Sequence, residues 1–332
     1  MKPPRPRARL AACIALWFAG SAVANTSARL LLTRVPLPLW LCMVQFAVAC
    51  LLGHVYLNVA RPEQRVLPTA LALPVLDRLA AAYLVGFIFV NAGFVAVNVS
   101  LAETLRSAEP VFSVLFAKLW LRSREERVSN LTVLALVPIV LGGALASGGD
   151  ASFNLGGLAF AGISNAAFAM RSIVTKQLKH VYAGDAINVF HEVSLRGLRW
   201  LVVLTALAEA LLWLAAPRAW TERYSALALL HGHAAGDEWV SMAPLLAANA
   251  LSYALYNLMS FMVLGMVSVV THAVTNSMRR VFTILSSLFV MRNPVSAMNA
   301  AGMCLAAGGL ALYSISKARD GRDAALDSEE KL

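Results

Sequence analysis

The feature that most constrains this chain is a succession of long apolar runs separated by short polar breaks. A helix needs about 20 apolar residues to cross the hydrocarbon of a bilayer. Ten such runs can be marked, at residues 10–32, 37–59, 79–101, 105–121, 131–147, 155–175, 187–214, 239–262, 266–290 and 296–315. Composition agrees. Hydrophobic residues make up 59% and charged residues 14%, against about 45–50% and 25% in soluble domains, and the mean hydropathy is +0.68. The expected fold class is an all-α integral membrane protein with most of its mass in the bilayer.

The net charge of +10 then belongs to membrane flanks and cavity linings. No soluble basic domain is present, so nucleic acid is not an expected partner. Cys13, Cys42, Cys50 and Cys304 fall in apolar segments without a CxxC pair, and His231 and His233 alternate in a loop with no further ligand cluster. Neither a disulfide framework, a metal site nor a cofactor is expected. Met1 to Arg9 reads as the basic flank of a retained first span rather than a cleavable leader.

Lysine and arginine orient the bundle. Ten spans put both termini on one side, which then carries Lys2, Arg5, Arg7, Arg9, Arg61, Arg65, Arg78, Arg122, Arg124, Arg127, Lys176, Lys179, Lys317, Arg319, Arg322 and Lys331. The other side carries Arg34, Arg106, Arg218, Arg223 and Arg292. Both tails are therefore expected in the cytosol, or in the stroma for a plastid envelope protein. Seven basic residues fall inside spans: Arg29, Lys118, Arg171, Arg196, Arg199, Arg279 and Arg280. Lys118, Arg29 and Arg199 lie close enough to span ends to snorkel. Arg279 and Arg280 do not.

The chain also repeats itself. Pro110-Val111-Phe112-Ser113-Val114-Leu115 matches Arg280-Val281-Phe282-Thr283-Ile284-Leu285, and Val128-Ser129 matches Val295-Ser296. Gly142-Gly143 falls within one position of Gly308-Gly309. Spans four and five thus resemble spans nine and ten. Five spans per half is an odd number, so the expected architecture is ten transmembrane helices as two inverted five-helix repeats, residues 1–151 and 152–316, with a polar tail at 317–332. Inverted repeats place a transporter's site between the halves near the midplane.

An arginine at bilayer depth costs at least ~2.5–3.5 kcal/mol unless it lines a cavity or meets a partner, and it cannot deprotonate to escape that cost. Arg279 and Arg280 therefore suggest a fixed anion site, with Arg106 on the repeat-mate helix as a third cation. Guanidinium forks bind phosphate oxygens in pairs. Without an anion the three cations would repel one another. A dianionic ligand would relieve that repulsion, which gives an unloaded carrier a reason not to switch state. Tyr256, in the preceding span, can donate to a phosphate or carboxylate oxygen. Thr271, His272, Thr275 and Asn276 form a polar face one to two turns before the arginines. Glu109 lies three residues after Arg106, and Glu192 four before Arg196, so both spacings predict intrahelical ion pairs.

These residues resemble the triose-phosphate translocator and nucleotide-sugar transporter group of the drug/metabolite transporter superfamily. The resemblance is carried by Thr271-His272-Ala273-Val274, Arg279-Arg280-Val281-Phe282, Asn293-Pro294-Val295-Ser296, Asn98-Val99-Ser100-Leu101, Glu109-Pro110-Val111-Phe112-Ser113 and Arg171-Ser172-Ile173-Val174-Thr175-Lys176. It implies a ten-span secondary transporter, not an enzyme, that takes a small anionic phosphorylated substrate and exchanges it for inorganic phosphate by alternating access. The family's Lys-Arg phosphate grip falls on Arg279-Arg280, its fourth-span lysine on Arg106, and its eighth-span tyrosine on Tyr256.

Two departures stand out. Phe94 follows Gly93 where plastid members have histidine, and Val97 replaces their threonine. The stretch from Leu101 to Arg106 is about seven residues shorter than usual, almost two helical turns. The resemblance leaves open a nucleotide-sugar/nucleoside monophosphate antiporter of the Golgi or ER, with Phe94 available to stack on a base. A remoter alternative is an integral-membrane enzyme acting on lipid-linked phosphates, which would need an acid–base or metal cluster at one interface. The substrate, the organelle and the oligomeric state stay open at this stage.

Overall fold

The structure is a computed structural model and describes residues 6–120, 129–227, 235–267, 269–292 and 295–329. Among the described residues it is all helix, with no strand. The long helices are α1 (Pro6–Arg34), α2 (Pro38–Val55), α3 (Leu73–Ala96), α8 (Leu155–Leu178), α9 (Ala186–Ala215), α11 (Ala235–Met266), α12 (Val269–Met291) and α13 (Ala297–Glu329). Shorter ones are α4 (Val99–Arg106), α5 (Glu109–Trp120), α6 (Asn130–Leu134), α7 (Leu136–Gly148) and α10 (Arg218–Tyr224). Among the described residues, eight stretches are long and apolar enough to cross a membrane: α1, α2, α3, α6 with α7, α8, α9, α11 and α13.

The fourth sequence run needs correction. Helix begins at Val99, not near residue 105, and breaks at Ser107-Ala108 before resuming at Glu109. Pro110 explains the break. It has no N–H for the carbonyl of Arg106, and its ring would collide with that carbonyl. The two helices are consequently eight and twelve residues long. Helix α12 has the length of a span, but Arg279 and Arg280 interrupt its apolar sequence.

The helices pack in pairs. α1 lies along α11, α3 along α8, α2 along α9 and α7 along α13, while α12 contacts α4, α1 and α13. The α7–α13 contact is a backbone seam. A Cβ on Gly142 would stand 2.4 Å from the Ala306 nitrogen, and one on Gly302 would stand 2.2 Å from the Ala146 nitrogen. Glycine at both positions lets the two backbones touch. Side chains lock both ends of the seam. Asn299 donates to the Ala146 carbonyl at 3.1 Å and to Asp150 at 3.0 Å. At the other end Asp320 accepts from the Ser129 amide at 3.1 Å and from the Thr132 hydroxyl at 2.8 Å.

Buried polar groups elsewhere are largely structural. Asn91 donates to Gln45, Gln45 to Asn249, and Asn249 to the Ala24 carbonyl and Ser27, which stitches α3, α2, α11 and α1 together. Arg196 pairs with Glu192, as its spacing predicts, and also with Asp77 on α3. Glu209 accepts from Trp40, Ser225 and the Ala226 amide, so every donor it faces is satisfied within the fold. Arg29 donates to the carbonyls of Phe94 and Val95. It does not snorkel. It satisfies carbonyls in the last turn of α3, which helix geometry leaves without amide partners.

Candidate functional site

Arg279 and Arg280 sit mid-way along α12 and are 7% and 4% exposed. Adjacent residues on a helix point about 100° apart, yet both line one polar cavity. Arg106, Tyr256 and Asn276 line it too, as do Trp17, Asn25, Phe87, Glu109, Phe168, Arg171, Asn257 and Ser260. Five expected site residues therefore meet: Arg106, Tyr256, Asn276, Arg279 and Arg280. The side chains of Thr271 and His272 lie outside the described residues, as do His231 and His233.

The cations are not bare, which corrects the expected picture of three mutually repelling arginines. Arg106 pairs with Glu103, one turn behind it on α4. Arg280 pairs with Glu109 on α5 and holds a second approach to Glu103, with Nη1 at 4.0 Å from its Oε2. The intrahelical Arg106–Glu109 pair expected from spacing does not form, because the Ser107-Ala108 break takes the two off a shared helix face. Asn25 on α1 donates to Glu103 at 3.1 Å. Glu103 is fully buried, so its charge has to be met by these neighbours.

Arg279 donates through Nε to Asn276 at 3.0 Å, and its guanidinium lies 5.9 Å from the centre of the Trp17 ring. Arg171, from α8, lies over the rings of Tyr83 and Phe168 at 5.5 and 5.4 Å. Arg106 is 5.5 Å from the same Phe168 ring. Aromatic faces attract cations through their quadrupole and hold them where few carboxylates are present. Tyr83 donates to Asn257 at 2.6 Å, which orients that amide at the cavity wall. Four guanidinium groups and one carboxylate, Glu109, line the cavity, and Glu103 is buried against Arg106 and Arg280 next to it, so the formal charge of the whole cluster is +2.

The space between these side chains is narrow, about 50 Å³, whereas small-molecule sites commonly reach roughly 300–1,000 Å³. A larger hollow of about 360 Å³ lies between α1, α2 and α11, but Leu31, Leu32, Leu41, Met242 and Leu246 wall it and it offers nothing to an anion. Among the described residues no cluster of three metal-ligating side chains occurs.

Of the two departures, Phe94 and Val97 are both fully buried and neither lines the cavity. Phe94 is packed into the main core, so the stacking role that a nucleotide site would want from it has no geometric basis. A Cβ on Gly93 would meet nothing within 4 Å. Seven cavity-lining residues were not expected from sequence: Trp17, Asn25, Phe87, Phe168, Arg171, Asn257 and Ser260. Arg171 was visible as an in-span charge, but Trp17, Asn25 and Asn257 are single residues on apolar helices. Glu103 had a signal, its i,i+3 spacing to Arg106, that competed with the equal spacing of Glu109.

Fold and site together define an integral membrane protein with a buried, arginine-lined cavity. The family model described as the Triose-phosphate Transporter family matches residues 8–314. The chain belongs to that family, whose members are transporters rather than enzymes. It is 34% identical over 236 residues to the chloroplastic xylulose 5-phosphate/phosphate translocator of Arabidopsis thaliana, covering 71% of this chain and 53% of that protein. It is 32% identical over 311 residues to the chloroplastic phosphoenolpyruvate/phosphate translocator 1 of Oryza sativa subsp. japonica, covering 92% and 71%. One solved crystal structure matches with a TM-score of 0.55 at 16% identity, over 92% of this chain and 95% of the other. That match speaks to fold alone.

Proposed function

We propose that this chain is an antiporter that exchanges a phosphorylated metabolite, such as a sugar phosphate or triose phosphate, for inorganic phosphate by alternating access. The observation that carries the reading is the charge balance of the cavity. Four guanidiniums lining the cavity against Glu109 and the adjoining buried Glu103 leave +2, which a phosphate dianion neutralises. Arg106, Arg279 and Arg280 grip the phosphoryl oxygens, Tyr256 and Asn276 donate at its flank, and Thr271 and His272 complete the polar face. Arg171 adds a fourth cation. The names of the relatives, translocators of xylulose 5-phosphate, phosphoenolpyruvate and glucose 6-phosphate against phosphate, support the same class of cargo.

The architecture in this reading is ten spans in two inverted halves, 1–151 and 152–316, with α4 and α5 together as the fourth span and α12 as the ninth. The pairing of helices supports it. Exchanging each span with the one five places on maps α1–α11 onto α8–α3. The same exchange maps α2–α9, α4–α12 and α7–α13 onto themselves. Both tails then face the cytosol, or the stroma if the membrane is a plastid envelope.

The test is reconstitution into liposomes loaded with phosphate, with UMP or GMP, or with nothing. Uptake of labelled phosphate and of organic phosphates should be fastest against internal phosphate. Faster uptake against the nucleotides would move the substrate class to nucleotide sugars. Equal uptake into all three would end the exchange reading.

A further inference from the structure

Glu103 is a fully buried carboxylate on α4. It touches the groups a phosphate would touch, pairing with Arg106, approaching Arg280 on α12 at 4.0 Å and accepting from Asn25 on α1. Among the described residues, three buried polar atoms there have no hydrogen-bond partner: its own Oε2, Arg106 Nε and Arg280 Nη1. Glu109 differs, because its side chain is 17% exposed and it pairs with Nη2 of Arg280 rather than Nη1.

We propose that Glu103 is a tethered counter-anion, a built-in substitute for substrate phosphate, and that it allows the carrier to reorient without cargo. This rests on the exchange reading above. An empty site that is closed off from water with its cations uncompensated faces a large electrostatic cost. A carboxylate fixed to α4 stays beside the cations and removes part of that cost. Net phosphate flux therefore accompanies exchange. The same carboxylate competes with incoming phosphate for Arg106 and Arg280, so it also weakens phosphate binding. Its role is specific to this position, since Glu109 is partly solvated and makes no contact with Arg106.

The experiment compares the wild-type chain with Glu103→Gln, which keeps shape and removes charge. Labelled phosphate uptake is measured into phosphate-free and phosphate-loaded liposomes. For the wild type the phosphate-free rate should be lower than the loaded rate, by no more than roughly tenfold. In the variant the ratio of phosphate-free to loaded uptake should fall by a further factor of about ten. In detergent, the phosphate concentration that half-maximally stabilises the variant against heat should be lower by roughly tenfold. An unchanged ratio overturns the proposal, and so does unchanged or weaker phosphate binding by a variant too impaired to transport. A wild-type chain with no uptake into either kind of liposome overturns the exchange reading itself, which is a different result.

Discussion

Glu109 on α5 forms its ion pair with Arg280 on α12 rather than with Arg106, three residues behind it in the chain. Pro110 causes this by ending α4 at Arg106, after which Glu109 starts a new helix and turns to a different neighbour. The same residue order on an unbroken helix would have put Arg106 and Glu109 together and left Arg280 to its own devices.

The pairing changes what removal of Arg280 does. Arg280→Ala should abolish phosphate exchange and should also lower stability, because Glu109 and Glu103 lose a buried partner, a loss that typically costs about 3–5 kcal/mol. Adding Glu109→Gln should restore part of the thermal stability and none of the transport. A single variant that exchanges phosphate at the wild-type rate would remove Arg280 from the site.

Arg279 should respond differently. It bonds Asn276 and faces Trp17, with no carboxylate in direct contact among the described residues. Arg279→Lys keeps the charge and should retain exchange within about threefold, although the fork geometry is lost. Arg279→Met should eliminate exchange. If lysine fails as completely as methionine, paired hydrogen bonding rather than charge is what the cargo requires.

Arg171 stands over two aromatic rings at the cavity wall. Arg171→Gln should leave thermal stability nearly unchanged and weaken apparent affinity for the transported organic phosphate. One charged hydrogen bond is worth about 1.5–3 kcal/mol, or roughly ten- to a hundredfold. Concentration dependence of exchange measures this, and an unchanged KM would place Arg171 outside the binding shell.

The glycines offer a packing control. Gly142→Val should prevent stable folding, since even a Cβ meets the Ala306 backbone at 2.4 Å. Gly93→Ala meets nothing within 4 Å and should raise stability by about 0.5–1 kcal/mol, the usual gain inside a helix. Thermal unfolding in detergent separates the two.

Much of the fold was legible because apolar length is a direct consequence of bilayer thickness. The mismatch falls on the helix pair that carries Arg106 and Glu109. The fourth apolar run begins at residue 105 because Glu103 dilutes the stretch before it. Its helix in fact begins at Val99 and breaks under Pro110. Arg279 and Arg280 were legible as cavity-lining residues, because a cation mid-span has to line a cavity or meet a partner. Arg29 lies close enough to the end of its span to snorkel on sequence grounds. Only the structure shows that its partners are the Phe94 and Val95 carbonyls, since backbone acceptors leave no trace in side-chain spacing. Asn25 and Asn257 were hidden for a related reason, because a lone amide on an apolar helix looks the same whether it faces a cavity or a neighbouring helix.

The seam between α7 and α13 has a mechanical consequence. Two backbones interlocked at Gly142 and Gly302, and fastened at both ends by Asn299 and Asp320, cannot slide past each other without collision. They act as a single stiff beam. The cavity is too narrow for an organic phosphate until something gives. The compliance must then come from α4, α5 and α12, which are joined across the cavity by ion pairs that can be exchanged one at a time. The break at Ser107-Ala108 is the natural joint, so stiffening it should slow turnover while leaving the resting arrangement intact.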